Sequence, residues 1–153
     1  MAEAQRVTTY RPACAVSGAA YGGGFKRFAS ALTLLLLGYG ASIAWRFPLF
    51  RFDATVTALL LGAAGLLLLS WYWFLRARTT IDAAGIRQSW LVDKQVAWRD
   101  VRGAKMIGIP YAGWLFPPRL VVRTGNSFCT FNGGTEDVLV EFAKISLAFQ
   151  MKR

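Results

Sequence analysis

Two runs without a charged residue, 28–45 and 54–75, constrain this chain more than any other feature. They cover 18 and 22 residues. As α-helices rising about 1.5 Å per residue they reach about 27 and 33 Å, close to the roughly 30 Å hydrocarbon thickness of a bilayer. A core helix of a soluble protein keeps a polar stripe for water, whereas LGAAGLLLLSWYWFL is apolar all round. The overall apolar content of 55% is concentrated in these runs, since polarity is ordinary from residue 79 onward. The runs predict a transmembrane helical hairpin at 28–75. A flexible basic tail at 1–27 precedes it, and a separate domain at 79–153 follows.

A cleaved signal peptide is the rival for the first run, because Ser42-Ile43-Ala44 loosely resembles a cleavage site. The leader would be unusually long, Trp45 and Arg46 follow it, and the second run spans a bilayer in either case. The connection RFPLFRFD is too short for a domain, and Pro48 ends the first helix, so the spans are antiparallel neighbours. Lys26, Arg27, Arg76 and Arg78 flank the runs on one side, while Arg46 and Arg51, partly offset by Asp53, lie on the other. The positive-inside bias then puts both termini and the domain on the cytoplasmic side of the inner membrane. Trp45, Trp71, Tyr72 and Trp73 sit where aromatic rings anchor helix depth. Gly38 and Ser42, with Ala58 and Gly62, have a spacing that suits either the hairpin's own seam or a homodimer contact. No ionisable residue interrupts either run, which disfavours a transporter or pump.

Beyond residue 79 the pattern becomes short alternations broken by turn residues, the signature of strands. Strands are predicted at 79–83, 86–91, 95–98, 104–109, 119–124 and 128–131, with Gly85 expected to supply a positive φ in the first turn. Gly125-Asn126 turns the fifth strand into the sixth. Thr135, followed by Glu136 and Asp137, opens a last helix. Val138, Phe142, Ile145 and Phe149 give that helix one apolar stripe that caps the sheet, with Glu141 and Lys144 on its flanks.

This arrangement resembles the bacterial pleckstrin-homology-like (PH-like) domain of small membrane proteins. The residues that carry the resemblance are TTIDAAGIRQSW, VAWRDV, RLVVRTG and FNGG before the final helix, with Trp98-Arg99-Asp100-Val101 matching the family's Trp-x-Asp-Ile/Val step. It covers about half the chain, and its motifs are structural. The fold it implies is a helical membrane hairpin plus an α+β domain, a small antiparallel sheet or barrel capped by a C-terminal helix. A full seven-stranded barrel needs one more strand, which leaves it short or partly open unless residues 110–116 supply it.

Catalytic chemistry finds little to work with. The chain has no histidine and two cysteines far apart, Cys14 and Cys129, which removes triad and zinc readings and any CxxC pair. Cys14 follows no lipoprotein-type leader, and Gly22-Gly23-Gly24 lacks the Lys-Ser/Thr of a phosphate loop. No cofactor, metal or enzyme activity is expected. Charge says more, since 18 Lys and Arg stand against 8 Asp and Glu. A basic domain at an anionic leaflet is attracted by about 1 kcal/mol per residue near the surface.

Residues 107–118, IGIPYAGWLFPP, form either a hairpin folded on the core or an apolar loop dipping into the interface beside the second span. The predicted contacts for lipid or a partner are Arg76, Arg78, Tyr111, Trp114, Phe116, Arg119 and Arg123. The expected role is a non-catalytic, membrane-tethered scaffold or adaptor that meets anionic headgroups or an envelope protein. The alternative is a small accessory subunit of a larger membrane enzyme or transporter. Nucleic acid is not expected as a partner, because no RNA-binding aromatic signature appears.

Overall fold

The computed structural model describes residues 10–47, 51–109 and 111–150. Pro48, Pro110 and residues 1–9 lie outside the described residues. Helices α1 (Gly23–Arg46) and α2 (Ala54–Arg76) contain the two apolar runs. The first helix starts earlier than its run, through Gly23 and Gly24. Asp53 opens α2 by accepting a hydrogen bond from the Thr55 amide at 3.1 Å, which satisfies one orphan donor of the first turn. Thr33 is buried in α1 and nothing is buried in α2, so these are not core helices. They touch at their domain end, where Trp71 Nε1 donates to Ser30 Oγ at 2.8 Å and Phe25 meets Phe74. A Cβ added at Gly38 or Gly62 would meet nothing within 4 Å. Those glycines therefore do not form the seam.

The β domain contains β1 (Val16–Ala19), β2 (Arg78–Ile81), β3 (Gly85–Gln88) and β4 (Lys94–Ala97) in one antiparallel sheet of that order. A 3-10 turn at Trp98–Asp100 leads to β5 (Gly103–Ile107), β6 (Arg119–Thr124) and β7 (Ser127–Asn132), a second antiparallel sheet. Helix α3 (Glu136–Gln150) packs on β5, β1 and β2, spanning both sheets. Ile81, Ile86, Trp98, Leu120, Phe131 and Phe142 are all essentially inaccessible at the centre. Burial of this kind contributes roughly 1.5–3 kcal/mol per large side chain.

The tail expected through residue 27 is corrected here from residue 10 onward. Val16 pairs with Ile81 and Ala19 with Arg78, and the Ala20 amide donates to the Ala77 carbonyl at 3.0 Å. The seventh strand thus comes from before the hairpin, and both helices are an insertion between two neighbouring strands. Residues 111–116, offered as that strand, are turns instead. The domain boundary at 79 is wrong for the same reason, since the sheet includes residues 16–19 and begins its second strand at Arg78. Four residues, one of them glycine, carry too short a pattern to declare a strand without their partner.

Close approach explains two glycine motifs. Gly85 has no positive φ; a Cβ there would lie 2.1 Å from the Val96 carbonyl oxygen, so β3 and β4 could not pair with any side chain in its place. Asp82 makes the turn by accepting from the Ala84 and Gly85 amides. In Phe131-Asn132-Gly133-Gly134 the need is similar, because a Cβ at Gly134 would sit 2.2 Å from the backbone of Tyr21. The Gly134 amide donates to Ala19 at 2.9 Å, where the N-terminal arm crosses. Gly125 does take φ +56 in the β6–β7 turn, as expected.

Two polar expectations at α3 also change. Thr135 Oγ1 is buried and makes no side-chain cap among the described residues; it packs over Gly18. Glu141 is buried beneath the N-terminal arm rather than on an exposed flank. It accepts from Tyr10 Oη at 2.6 Å and Lys144 Nζ at 2.6 Å, while the Tyr10 ring lies 5.0 Å from Trp98. Burial alone would push the Glu141 carboxyl up, but the hydrogen bonds from Lys144 and Tyr10 and the Lys144 charge hold it below the usual range. Its folded value lies below its unfolded one, so this stabilisation is present above the unfolded pKa and is lost as pH falls through the folded pKa. Tyr10→Phe is expected to cost about 1–2 kcal/mol at neutral pH. The deficit should shrink on acidification in thermal melts; a deficit independent of pH would remove the Glu141 link.

Candidate functional site

The site is built where the helices enter the sheets. Tyr21, the second residue after the strand pairing, stacks on Phe25 of α1 at 4.8 Å and meets Phe74 of α2 edge-on at 5.2 Å. Trp90, from the β3–β4 loop, closes the group at 5.9 Å from Tyr21, 5.4 Å from Phe74 and 6.5 Å from Trp73. Lys26 Nζ donates to the Leu75 carbonyl at 3.0 Å, satisfying an acceptor in the last turn of α2. These contacts join the N-terminal arm, both helices and a sheet loop.

Around this aromatic collar lie several of the basic side chains singled out from sequence. Arg76 ends α2, exposed, with Cζ 5.5 Å from the Tyr72 ring centroid. Arg78 follows at the start of β2, also exposed. Arg119 opens β6, paired in register with Asn132, whose Nδ2 donates to Tyr21 Oη at 3.3 Å. Burial raises the Tyr21 pKa, and the nearby Arg119 charge and the Asn132 hydrogen bond oppose that rise. Arg76, Arg78 and Arg119 therefore share the helix end of the domain.

Arg123 does not join them. It sits four residues along β6 from Arg119, about 14 Å at strand spacing, and lies over Phe128 with Cζ 5.9 Å from the ring. The chain there borders an open cleft of about 490 Å³ lined by Gln95, Arg99, Asp100, Arg102, Thr124 and Cys129. The basic residues of the sheet are thus divided between two ends.

The aromatic loop between β5 and β6 is not a hairpin folded on the core. Tyr111 is fully exposed with φ 68, an uncommon conformation for a bulky residue, and Trp114 and Phe116 are also exposed. The Ala112 carbonyl holds the turn by accepting from the Leu115 and Phe116 amides. Trp114 rests edge-on against Phe28 at 6.4 Å, and Gly24 allows its backbone close to α1. The loop accordingly stands beside the first helix, not the second as expected.

Sequence reasoning missed Tyr21, Phe25, Phe74 and Trp90 as a group, although Tyr21 and Phe25 flank Gly22-Gly23-Gly24 and Phe74 ends the aromatic run Trp71-Tyr72-Trp73. The apolar triplet Trp90-Leu91-Val92 was a usable signal, because β3 ends at Gln88 and this triplet is loop. No group of three metal-ligating side chains occurs among the described residues. The arrangement can bind anions at three guanidinium groups and bury apolar groups beside aromatic rings. Comparison with protein-family models, with curated proteins and with solved structures finds no match.

Proposed function

We propose that this chain is a two-pass inner-membrane protein whose PH-like domain is a non-catalytic binding module for anionic lipid headgroups on the cytoplasmic face. One observation carries the reading. The helical insertion leaves from between two hydrogen-bonded strands, and Arg76, Arg78, Arg119 and the Trp114 loop surround that same end. A hairpin leaving a rigid ladder at both ends fixes the domain's approach to the bilayer. Helices with almost no buried residues would be costly in water and suit lipid. Four strands in one sheet, three in the other and a helix across both support the PH-like assignment. The cytoplasmic placement follows the excess of Lys26, Arg27, Arg76 and Arg78 over the loop charges.

Headgroup selection is tested on the full chain purified in mild detergent, by measuring the anionic lipid that accompanies it. At about 1 kcal/mol per basic residue, Arg78→Gln with Arg119→Gln should reduce anionic-lipid enrichment by roughly thirty-fold. Arg123→Gln should leave it nearly unchanged. Equal loss from both variants would reject the assignment to the helix end. The exposed Cys14 reports orientation, since a membrane-impermeant thiol reagent should reach it only after the membrane is opened.

A further inference from the structure

The β3–β4 loop, Ser89-Trp90-Leu91-Val92-Asp93, is fastened at both ends and apolar at its tip. The Ser89 amide donates to the Arg78 carbonyl at 2.8 Å, and Ser89 Oγ accepts from the Arg78 amide at 3.0 Å. These bonds tie the loop to the first residue of β2, two positions beyond the end of α2. At the other end Asp93 pairs with Arg87, which offsets the one acidic charge of the loop. Trp90 packs on Phe74 and Trp73, so the loop is held at the level where α2 ends. Leu91 and Val92 follow directly and are 61% and 73% exposed.

Isolated exposed aliphatic residues are ordinary and carry no meaning by themselves. What distinguishes this pair is its level and its continuity with the collar. The Trp90 ring is continuous with the aromatic residues of α2, and the basic residues Arg78 and Lys94 adjoin the loop. The β5–β6 loop also carries exposed apolar side chains and rests on α1 through Trp114 and Phe28. One apolar loop thus leans on each helix.

We infer that the 89–93 loop is a second membrane contact, with Leu91 and Val92 entering the boundary between headgroups and acyl chains in the leaflet that the helix ends occupy. The inference rests on the membrane-spanning reading of the hairpin. Aliphatic tips beside a Trp and basic side chains match the composition of segments that lie in this boundary. With contacts on both helices, the domain cannot rock about the hairpin. Its Arg99–Arg102 cleft then stays in the aqueous phase.

The experiment uses the full chain with Cys14→Ser and Cys129→Ala, and one cysteine at a time at Leu61, Val92, Arg102 or Tyr111. Each is labelled with an environment-sensitive nitrobenzoxadiazole dye in liposomes of phosphatidylethanolamine and phosphatidylglycerol. Blue-shifted emission and weakened iodide quenching are expected at positions 61, 92 and 111, with a fully quenched aqueous signal at 102. An aqueous signal at 92 with lipid signals at 61 and 111 would overturn the inference and leave the hairpin and aromatic loop standing. An aqueous signal at 61 would overturn the membrane-spanning reading, and this inference with it.

Discussion

A chain in which residues 21–76 are replaced by Asn-Gly is expected to fold and to remain monomeric in water without detergent. Ala20 and Ala77 face each other at the end of an antiparallel pair, with the Ala20 amide bonded to the Ala77 carbonyl at 3.0 Å. That is the position at which a two-residue turn joins neighbouring strands, and Asn-Gly supplies the two positive φ values it needs. The deletion removes the two unburied apolar helices and retains seven strands, α3 and the buried centre. It does cost the Tyr21, Phe74 and Trp73 contacts of Trp90, each aromatic pair worth about 0.5–1.5 kcal/mol. A loss of that size lies within the roughly 5–15 kcal/mol stability of ordinary domains. Gel filtration and a cooperative thermal melt are the measurements. Aggregation of this variant, or a broad non-cooperative melt, would mean that the helices are part of the domain's core rather than an insertion into its edge.

Removal of residues 1–20 should have the opposite outcome: the two apolar helices remain and the domain loses its fold. Four register pairs from Val16 to Ala19 disappear, together with the Ala20–Ala77 and Ala19–Gly134 bonds. Backbone hydrogen bonds contribute about 0.5–1.5 kcal/mol each, so the ladder alone accounts for several kcal/mol. Gly18 also faces Thr135, just before α3, and Val138 within its first turn, and the fully buried Ala20 would be gone. Tyr10 would no longer cover Glu141, leaving a buried carboxylate with Lys144 alone. The domain melt of the full chain in detergent should disappear. Each kcal/mol corresponds to about 4–8 °C for a domain of this size, so a shift of only a few degrees would show that β1 is not needed. The same reasoning predicts that residues 79–153 expressed alone do not form this sheet.

Much of the fold was legible because it is written locally. The strand at 119–124 matched to the residue, since Leu120 and Val122 alternate with Arg119, Val121 and Arg123. The stripe on α3 was read correctly because Val138, Phe142 and Ile145 recur at helical spacing. Trp98 is buried, but it begins a 3-10 turn instead of ending the strand expected at 95–98, with Nε1 donating to the Asp82 carbonyl at 2.7 Å. The candidate site was less legible. Arg119 and Arg123 look equivalent on one face of one strand, yet only Arg119 lies near Tyr21, whereas Arg123 lies beside Phe128. Their separation matters only once the entry point of the helices is known. Glu141 shows the same difficulty, because what covers it is a tyrosine 131 positions away in sequence.

Sequence by itself determined that two helices of bilayer length exist, because apolarity on every side and the rise per residue are properties of contiguous segments. It also determined that a small strand-rich domain with one amphipathic helix follows them. Tertiary structure alone decided where that domain begins. A four-residue strand carries almost no local signal, and its partner lies beyond the whole hairpin, so only long-range hydrogen bonding between Val16–Ala19 and Arg78–Ile81 defines it. That pairing turns the helices from a leading segment into an insertion, and brings Arg76, Arg78, Arg119 and the aromatic loop to the end from which they leave.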